Sequence, residues 1–192
     1  YFTMNNLDQI IERSDWADSV IIGPGIGTNA ETMALAKALI ESINKPVILD
    51  ADGLKCFREL QCDLEKLIVT PHLGEFSSMI EHTTNEIKSD FVSIVSRFMS
   101  GFNGTALIKH VPACICHGTQ VSLNSSGNPA LATAGTGDVL SGILGTFSAQ
   151  GMNGFDAARL GAYFHGKAGD QLSSSIGKRG MIASDLPKAV AS

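Results

Sequence analysis

The residues with the clearest chemical pattern lie in a glycine-rich segment late in the chain. Gly135, Thr136 and Gly137 are followed directly by Asp138, and the apolar spacing beyond them predicts a helix over about 137–150. A glycine turn that leads into a helix leaves backbone N–H groups unpaired, with the positive end of the helix dipole behind them. Because glycine has no Cβ, the backbone can approach an anion closely. The segment therefore predicts an anion hole for a phosphate or a developing negative charge.

Asp138 stands in the first turn of that predicted helix, at the edge of the anion hole. A carboxylate there can accept the proton of a hydroxyl group whose oxygen attacks a phosphoryl group. The alternative is that Asp138 only caps the helix, which stabilises a protein by about 1 kcal/mol. The two glycines favour the catalytic interpretation, because an ordinary cap does not need them. The Gly-Lys-Ser/Thr ending of a Walker A motif is absent.

Three further polar clusters follow short apolar runs that we predict to be buried strands. The clusters are 23–27 after the run 20–22, 50–53 after 46–49, and 70–75 after 67–69. In an open parallel sheet, ligands bind at the carboxyl ends of the strands. Each cluster alone could be only a turn, a helix cap or a strand terminator. Three of them at one sheet edge favour a binding site.

The order of the elements predicts an α/β fold. Helices are expected after the first strands, at 30–43 behind an Asn29 cap, at 54–60, at 74–80 and at 86–99. This alternation indicates parallel strands, because a parallel pair requires a long crossover. Three short runs then predict an antiparallel meander at 105–109, 113–117 and 120–123. The remaining helices are expected at 137–150, 155–172 and 184–190.

Composition excludes several classes of protein. The 192 residues include 14 Lys and Arg against 19 Asp and Glu, a net charge of −5. Nucleic-acid binding needs a clustered excess of Lys and Arg, so we expect no nucleic-acid partner. With 44% apolar and 17% charged residues, the chain is neither a disordered tail nor a coiled coil. No apolar run reaches the roughly 18 residues of a membrane span, so no membrane partner is expected.

The four cysteines, Cys56, Cys62, Cys114 and Cys116, form no C-x-x-C pair. Cys114, Cys116 and His117 could form a ligand cluster, but tight alternation on an apolar run is more typical of one strand with differently buried faces. We therefore expect a reducing, cytoplasmic compartment.

The motifs together resemble a known family. The segment 135–138 resembles the anion hole of the ribokinase-like superfamily, and the run 128–142 is similar to the ADP- or ATP-dependent NAD(P)H-hydrate dehydratases. The similarity extends through Gly-Pro-Gly-Ile-Gly at 23–27, Leu-Asp-Ala-Asp-Gly-Leu at 49–54, Thr-Pro-His-Leu-Gly-Glu at 70–75, and the segments 163–170 and 180–186. It covers nearly all of the chain from Val20. The resemblance implies a three-layer α/β/α ribokinase-like fold, with a mostly parallel sheet and an antiparallel edge meander.

The resemblance also implies a repair reaction. NADH or NADPH that has been hydrated at the nicotinamide ring would be dehydrated at the expense of ADP or ATP, with Mg²⁺ as cofactor. Hydroxide is a poor leaving group, whereas the phosphate made from the ring hydroxyl can be expelled by the ring nitrogen. Asp138 would be the base for that hydroxyl, and residues 134–137 would hold the transferring phosphoryl group.

Site residues follow from the same resemblance. Nucleotide-binding residues would be Lys109, Asn128, Ala134, Gly135, Thr136 and Gly137, and substrate-binding residues would be Gly27, His72 and Asp138. Asp50 and Glu75 could support Mg²⁺ through water, although Glu75 could equally cap the helix that it opens. For His165 and Asp170, packing or a subunit contact is the expected role, and a homo-oligomer, with a tetramer as the first guess, is the expected assembly.

The chain departs from the family pattern in two places. Lys109 is followed by His110 where the family has glycine, and Ala113 stands where it has threonine, which leaves the choice between ADP and ATP open. The family's opening strand and helix, with their substrate loop, have no counterpart. We therefore expect residues 1–192 to be a single domain that lacks its N-terminal section.

Two alternatives stay open at the level of sequence. One is a kinase of the same superfamily that phosphorylates a thiazole, pyrimidine or sugar hydroxyl; it would share Asp138 and the anion hole but would not need the cluster at 70–75. The other is a non-catalytic nucleotide-binding module, which the altered region around His110 would allow.

Overall fold

The computed structural model describes residues 1–177 and 179–191. Its six strands form one sheet in the order β1-β2-β3-β4-β5-β6. They are β1 (Val20–Ile22), β2 (Val47–Leu49), β3 (Leu67–Val69), β4 (Thr105–Ile108), β5 (Cys114–His117) and β6 (Gln120–Leu123). Strands β1 to β4 are parallel, whereas β5 and β6 are each antiparallel to the preceding strand. The mostly parallel sheet with an antiparallel edge meander is therefore confirmed.

Helices cover both faces of the sheet. The first connections contain α2 (Ala30–Ser42), the 3₁₀ helix Ala51–Glu59, and α3 (Leu73–Ile80), α4 (Thr84–Ser89) and α5 (Phe91–Ser100). Because the strand order is sequential and such crossovers are right-handed, these helices lie on one face. Helices α6 (Thr136–Ala149) and α7 (Gly154–Ile176) cover the other face, and α8 (Leu186–Val190) packs against α7. These are the three layers of the expected α/β/α fold.

Side chains alternate between the two layers of the core. Ile48 and Ile68 pack with the α6 residues Leu140 and Leu144, while Leu49 belongs to the cluster beneath the other helices. All three residues of β2 and of β3 are buried, because each strand is covered from both sides. The continuous apolar runs of these strands follow from that double coverage.

Several predicted helices differ from those observed. The helix expected at 54–60 is a 3₁₀ helix that begins at Ala51, and the three-residue spacing of Leu54, Phe57 and Leu60 matches its three residues per turn. The helix expected at 86–99 is two helices, because the backbone at Asp90 leaves the helical region, with φ −142° and ψ 54°. The last predicted helix begins with a 3₁₀ turn at Ala183–Asp185.

The described residues contain an α-helix that was not predicted, α1 (Leu7–Ser14), and two short 3₁₀ helices, Met4–Asn6 and Pro129–Leu131, that were not predicted either. Leu7, Ile10 and Ile11 pack against the core with the spacing of a helix face, which is the signal in the sequence that could have found α1. The ammonium of Lys45 donates hydrogen bonds of 2.6 to 2.7 Å to the carbonyls of Ser14, Asp15 and Ala17. This cation satisfies the carbonyl end of α1, as the helix dipole favours.

The cysteine pair on β5 is structural. Cys114 and Cys116 are buried on one face of the strand, with their sulfurs 3.5 Å apart. Within the described part of the chain, no group of three His, Cys, Asp or Glu side chains is placed to hold a metal. The segment is a strand, as predicted, but its two faces are not differently buried, because Ile115 on the opposite face is buried as well.

Gly23 allows the ends of β1 and β2 to meet. Its φ is +133°, and a Cβ placed on it would lie 1.6 Å from the carbonyl oxygen of Asp50. The backbone of β1 therefore passes directly against the residue that ends β2. Only glycine fits this contact.

We expect Gly23→Ala to destabilise the protein by about 3 kcal/mol or more, because a clash is added to an unfavourable φ. Gly25→Ala is the matched control: its φ is +69° and no atom lies within 4 Å of the added Cβ. The control should lose only about 1 to 2 kcal/mol. Urea denaturation of both variants measures the difference, and equal losses would contradict this account of Gly23.

Candidate functional site

Four parallel strands end at one edge of the sheet, and a polar group follows each of them. The glycine turn at 23–27 follows β1, Asp50 follows β2, His72 follows β3 and Lys109 follows β4. The Lys109 N–H donates a 2.7 Å hydrogen bond to the carbonyl of Pro71, which continues the pairing of β3 with β4. The structure therefore brings the predicted clusters together at the carboxyl edge, where parallel sheets bind ligands.

Asp50 lies at the centre of this edge and is 2% exposed. Its Oδ1 accepts a 2.8 Å hydrogen bond from Lys109 Nζ, and its Oδ2 accepts a 2.7 Å hydrogen bond from the Ser141 hydroxyl. Lys109 belongs to the sheet and Ser141 to α6. One buried carboxylate thus joins two strands and a helix from the opposite layer.

The pKa of Asp50 reflects opposing effects. Burial alone would raise the pKa of this carboxyl, but the charge of Lys109 and the hydrogen bonds from Lys109 and Ser141 hold the pKa below its usual value. The carboxylate is therefore ionised at neutral pH, and its charge is compensated by Lys109.

The N-terminus of α6 lies beside this ion pair. Gly135 is the N-cap residue with φ +84°, which glycine adopts readily. A Cβ on Gly137 would lie 3.7 Å from Lys109 Nζ and 3.9 Å from Asp50 Oδ2. The first-turn N–H groups of α6, together with the Lys109 ammonium, therefore form a positive region at the strand ends.

Asp138 is exposed in the first turn of α6. It lies three residues before Ser141, so the two side chains share a helix face and Asp138 stands one turn nearer to the open edge. Among the described residues, none donates a hydrogen bond to its carboxylate, and no side chain caps this helix. The capping alternative for Asp138 therefore has no contact to support it.

His72 and Glu75 form a reciprocal cap on α3. His72 Nδ1 accepts hydrogen bonds of 3.0 and 3.1 Å from the N–H groups of Gly74 and Glu75, and Glu75 Oε2 accepts one of 2.8 Å from the N–H of His72. These bonds require a lone pair on Nδ1, which assigns the ring proton to Nε2. The His72 side chain is 60% exposed, and its Nε2 lies 3.5 Å from Glu75 Oε1. A ligand that accepts from this donor would therefore share it with Glu75.

The contacts of Asp50 and Glu75 do not fit a direct metal site. Both oxygens of Asp50 are hydrogen-bonded, and Glu75 Oε2 is held by the cap and lies 4.0 Å from Lys109 Nζ. The capping alternative for Glu75 is the one observed. A magnesium role of the two residues through water stays a prediction.

Asn128 is held in place by α7. Its Nδ2 donates a 2.9 Å hydrogen bond to Asp170, and its Oδ1 accepts hydrogen bonds from the Ser173 hydroxyl and the Ala130 N–H. Asp170 also accepts a 3.0 Å hydrogen bond from the N–H of Gly127. The predicted nucleotide role of Asn128 is untested; the observed contacts fix the segment that leads into the anion hole.

His165, on α7, contacts the same segment at the start of α6. It is buried on α7, and its Nε2 lies 2.9 Å from the carbonyl oxygen of Thr136. Burial lowers the pKa of this imidazole, so a neutral ring donates its N–H to the carbonyl. Of the two expected roles of His165, packing and a subunit contact, the structure shows packing, and the contact with Thr136 positions the first residue of α6.

Two features of the substrate side were not predicted. The N–H of Gly27 donates a 3.0 Å hydrogen bond to Asp52 Oδ2, which ties the glycine turn to the 3₁₀ helix. Ala51, between Asp50 and Asp52, has φ +48°, a strained value for a residue with a side chain. The sequence signal was the pair of aspartates at 50 and 52, whose side chains bind different partners.

The departure at His110 lies beside the site. Its ring packs 5.5 Å from that of Phe91, and its Nδ1 lies 3.0 Å from the carbonyl of Val111. His110 is thus turned away from Lys109, which keeps its place at the strand end.

The sheet order, the three layers and the helix N-terminus at the carboxyl edge define a ribokinase-like α/β fold. A ribokinase-like superfamily protein from Enterococcus faecalis V583 matches with a TM-score of 0.81 and 25% identity, over 96% of this chain and 66% of that one. The hydroxyethylthiazole kinase of Pyrococcus horikoshii shares the fold, with a TM-score of 0.72, 17% identity and coverage of 100% and 75%.

Within that class, the NAD(P)H-hydrate dehydratase family matches residues 1–191, and the chain belongs to this family. An ADP-dependent (S)-NAD(P)H-hydrate dehydratase from Neisseria meningitidis is 35% identical over 97% of this chain and 66% of its own length. A bifunctional NAD(P)H-hydrate repair enzyme from Moorella thermoacetica is 37% identical over 94% of this chain and 35% of its own length. The chain thus spans about a third of that bifunctional relative.

Within 1–177 and 179–191, the helices are too short or too polar to serve as membrane spans.

We expect Lys109→Met to destabilise the protein by about 3 kcal/mol at neutral pH, because it leaves the Asp50 charge buried without its partner. The loss of stability in this variant should depend on pH and should be largest at neutral pH. In the wild type the lowered pKa of Asp50 adds stability above about pH 4, and this stability is lost as the pH falls. Without Lys109, burial raises that pKa, so the deficit of the variant should shrink at low pH.

Urea unfolding from pH 3 to 7 measures this difference. Lys37→Met is the control, since Lys37 forms an ion pair with Glu41 on the exposed surface of α2. A deficit of the Lys109 variant that is independent of pH, or no larger than that of the control, would contradict the assigned role of the ion pair.

Proposed function

We propose that this chain carries the nucleotide-dependent dehydration of hydrated NADH or NADPH. The observation that carries the proposal is the Asp138 carboxylate, which has no structural partner among the described residues and stands at the mouth of a helix N-terminus beside Lys109. A helix N-terminus binds a phosphoryl group, and a free carboxylate beside it accepts a proton. Membership of the NAD(P)H-hydrate dehydratase family over residues 1–191 supports the substrate.

The proposed reaction has two steps. Asp138 accepts the proton of the ring hydroxyl while that oxygen forms a bond to the terminal phosphorus of ADP or ATP and the bond to the leaving nucleotide breaks. The ring nitrogen then supplies an electron pair, the carbon–oxygen bond breaks and phosphate leaves. Loss of a proton from the neighbouring ring carbon restores the double bond of NAD(P)H.

The roles of the other residues follow from their positions. We assign the transferring charge to the N–H groups of residues 134–137; the N–H of Thr136 also donates a 3.3 Å hydrogen bond to the carbonyl of Thr133. Loss of one such donor typically lowers a rate by about 10²- to 10³-fold. Gly27 and His72 border the substrate side, where the hydrated nicotinamide would share the exposed Nε2–H of His72 with Glu75 Oε1, 3.5 Å away. Lys109 compensates the charge of Asp50 and lines the nucleotide side.

We propose that Mg²⁺ enters with the nucleotide. It favours phosphate oxygens and retains several waters, whereas Asp50 and Glu75 are engaged in an ion pair and a cap. A structure of the Bacillus subtilis ADP/ATP-dependent dehydratase, co-crystallised with ATP and Mg²⁺, supports this route; it has a TM-score of 0.78 and 25% identity, over 94% of this chain and 66% of that one.

The small-molecule kinase alternative is not favoured, because the kinase similarity is one of fold alone.

A cytoplasmic location and a homo-oligomer, with a tetramer as the first state to test, complete the proposal. The half-exposed aromatic rings of Tyr163 and Phe164 on α7 support an interface between subunits.

The assay of the proposal is recovery of NADH absorbance at 340 nm. We expect the full-length protein to restore this absorbance from hydrated NADH when Mg²⁺ and ADP or ATP are present, and not without nucleotide. Absence of recovery with either nucleotide would overturn the proposed function. Phosphorylation of a thiazole or sugar hydroxyl in its place would support the kinase alternative.

Asp138→Asn tests the base. We expect turnover to fall by about 10²- to 10⁴-fold, with nucleotide affinity largely kept because no fold contact depends on the carboxylate. Asp156→Asn is a matched control, since Asp156 is also the third residue of its helix. Steady-state kinetics measures the turnover of both variants, and calorimetry measures their affinity for nucleotide. Unchanged turnover in Asp138→Asn would contradict the assignment of Asp138 as the base.

A further inference from the structure

A groove of about 730 Å³ leads away from the substrate side of the site. It runs between the 3₁₀ helix Ala51–Glu59 and α3. Its lining residues are Ala51, Asp52, Leu54, Lys55, Arg58, Glu59, Glu75, Ser78 and Met79. Asp52 and Glu75, at its inner end, are the residues that bind the N–H groups of Gly27 and His72. The groove is therefore continuous with the positions assigned to the hydrated nicotinamide.

The geometry of the 3₁₀ helix arranges charges along this groove. With three residues per turn, side chains at positions i and i+3 lie directly above one another, about 6 Å apart along the axis. Asp52, Lys55 and Arg58 therefore form a row on one face of the helix. The row begins with an acidic residue at the glycine turn and continues with two cations at increasing distance from the site. In an α-helix each three-residue step would rotate the side chain by about 60°, so Asp52 and Arg58 would lie about 120° apart around the axis.

The two cations are available to a ligand. Lys55 is exposed, and none of the described residues pairs with its ammonium. Arg58 forms an ion pair with Glu81 at the end of α3, but both side chains are more than half exposed, at 52% and 67%. The guanidinium has five N–H donors, so this contact leaves donors for another anion. At the inner end, Asp52 and Glu75 are occupied by backbone N–H groups.

Resting on the proposed function, we propose that this groove binds the phosphate groups of the hydrated dinucleotide, with Lys55 and Arg58 as their cationic partners. The nicotinamide end of such a substrate lies at the strand ends, and the rest of the molecule must leave the site along the surface. Phosphate oxygens match the ammonium and guanidinium donors. Glu59 also lines the groove, and its carboxylate disfavours an anion next to it.

Lys55→Gln is the test variant, because glutamine keeps most of the length of the side chain and removes its charge. We expect the KM for hydrated NADH to rise about ten-fold, as for loss of a charge-assisted hydrogen bond. The value of kcat and the KM for ADP or ATP should stay within about two-fold. Hydrated reduced nicotinamide riboside, which has no phosphate, should give the same KM with variant and wild type. The effect should weaken as salt concentration rises.

Lys88→Gln is the control, since Lys88 is an exposed lysine of α4 outside the groove. A rise in KM for the riboside hydrate, a rise confined to ADP or ATP, or no rise for hydrated NADH beyond that of the control would overturn the proposal. A larger rise with hydrated NADPH than with hydrated NADH would support it and assign the ribose phosphate to the groove as well.

Calorimetric binding of hydrated NADH makes the same comparison without turnover. Weaker binding by Lys55→Gln than by wild type and control supports the groove even if NADH absorbance is not restored, and that second result would count against the proposed function alone. Equal binding by all three proteins would overturn the groove.

Discussion

The ion pair between Asp50 and Lys109 connects parts of the molecule that the chain keeps far apart. Asp50 ends β2 and Lys109 follows β4, so the pair spans the end of the intervening β3, and the Ser141 hydroxyl adds α6 from the opposite layer. A charge as buried as that of Asp50 is strongly unfavourable without its partner. Any arrangement of strand ends that separated the two groups would carry this penalty. The pair therefore fixes the distance between the ends of β2 and β4.

The segment of the predicted anion hole depends on a second set of contacts, which come from α7. His165 binds the carbonyl of Thr136, and Asp170 binds Asn128 and the N–H of Gly127. These contacts act on backbone and amide groups at both ends of the segment 127–136. Inside the segment the N–H groups of Leu131, Ala132 and Thr136 bind carbonyl oxygens, whereas, among the described residues, no acceptor binds those of Ala134 and Gly135. The carboxylates of Asp170 and Glu75 each accept a hydrogen bond from a backbone N–H group. No described residue donates a hydrogen bond to the carboxylate of Asp138, which is the reason to propose it as the catalytic base.

The strands and the sheet edge were predictable, whereas the pairing inside the site was not. Runs such as 47–49 and 67–69 are buried on both faces, so apolar continuity alone located them within one residue. The chain order then placed the polar clusters at one edge. By contrast, Asp50 and Lys109 are 59 residues apart in the sequence, and no local sequence pattern indicates that their side chains are in contact. The break at Asp90 was missed because a single backbone rotation does not disturb the apolar pattern on either side.

The same ion pair constrains how the site can stabilise a transferring phosphoryl group. Because Asp50 neutralises Lys109, the ammonium contributes less net positive charge than its position suggests, and Glu75 lies 4.0 Å away on its other side. In the proposed reaction, the main attraction must then come from the backbone N–H groups and dipole of α6, which no nearby carboxylate cancels by hydrogen bonding. In the proposed site, glycines at 135 and 137 would let a phosphate approach these backbone donors, and the φ of +84° at Gly135 favours glycine independently. A cation would attract the phosphoryl group from any direction, whereas the fixed N–H groups of the helix terminus also orient it. In-line transfer to a hydroxyl beside Asp138 requires that orientation.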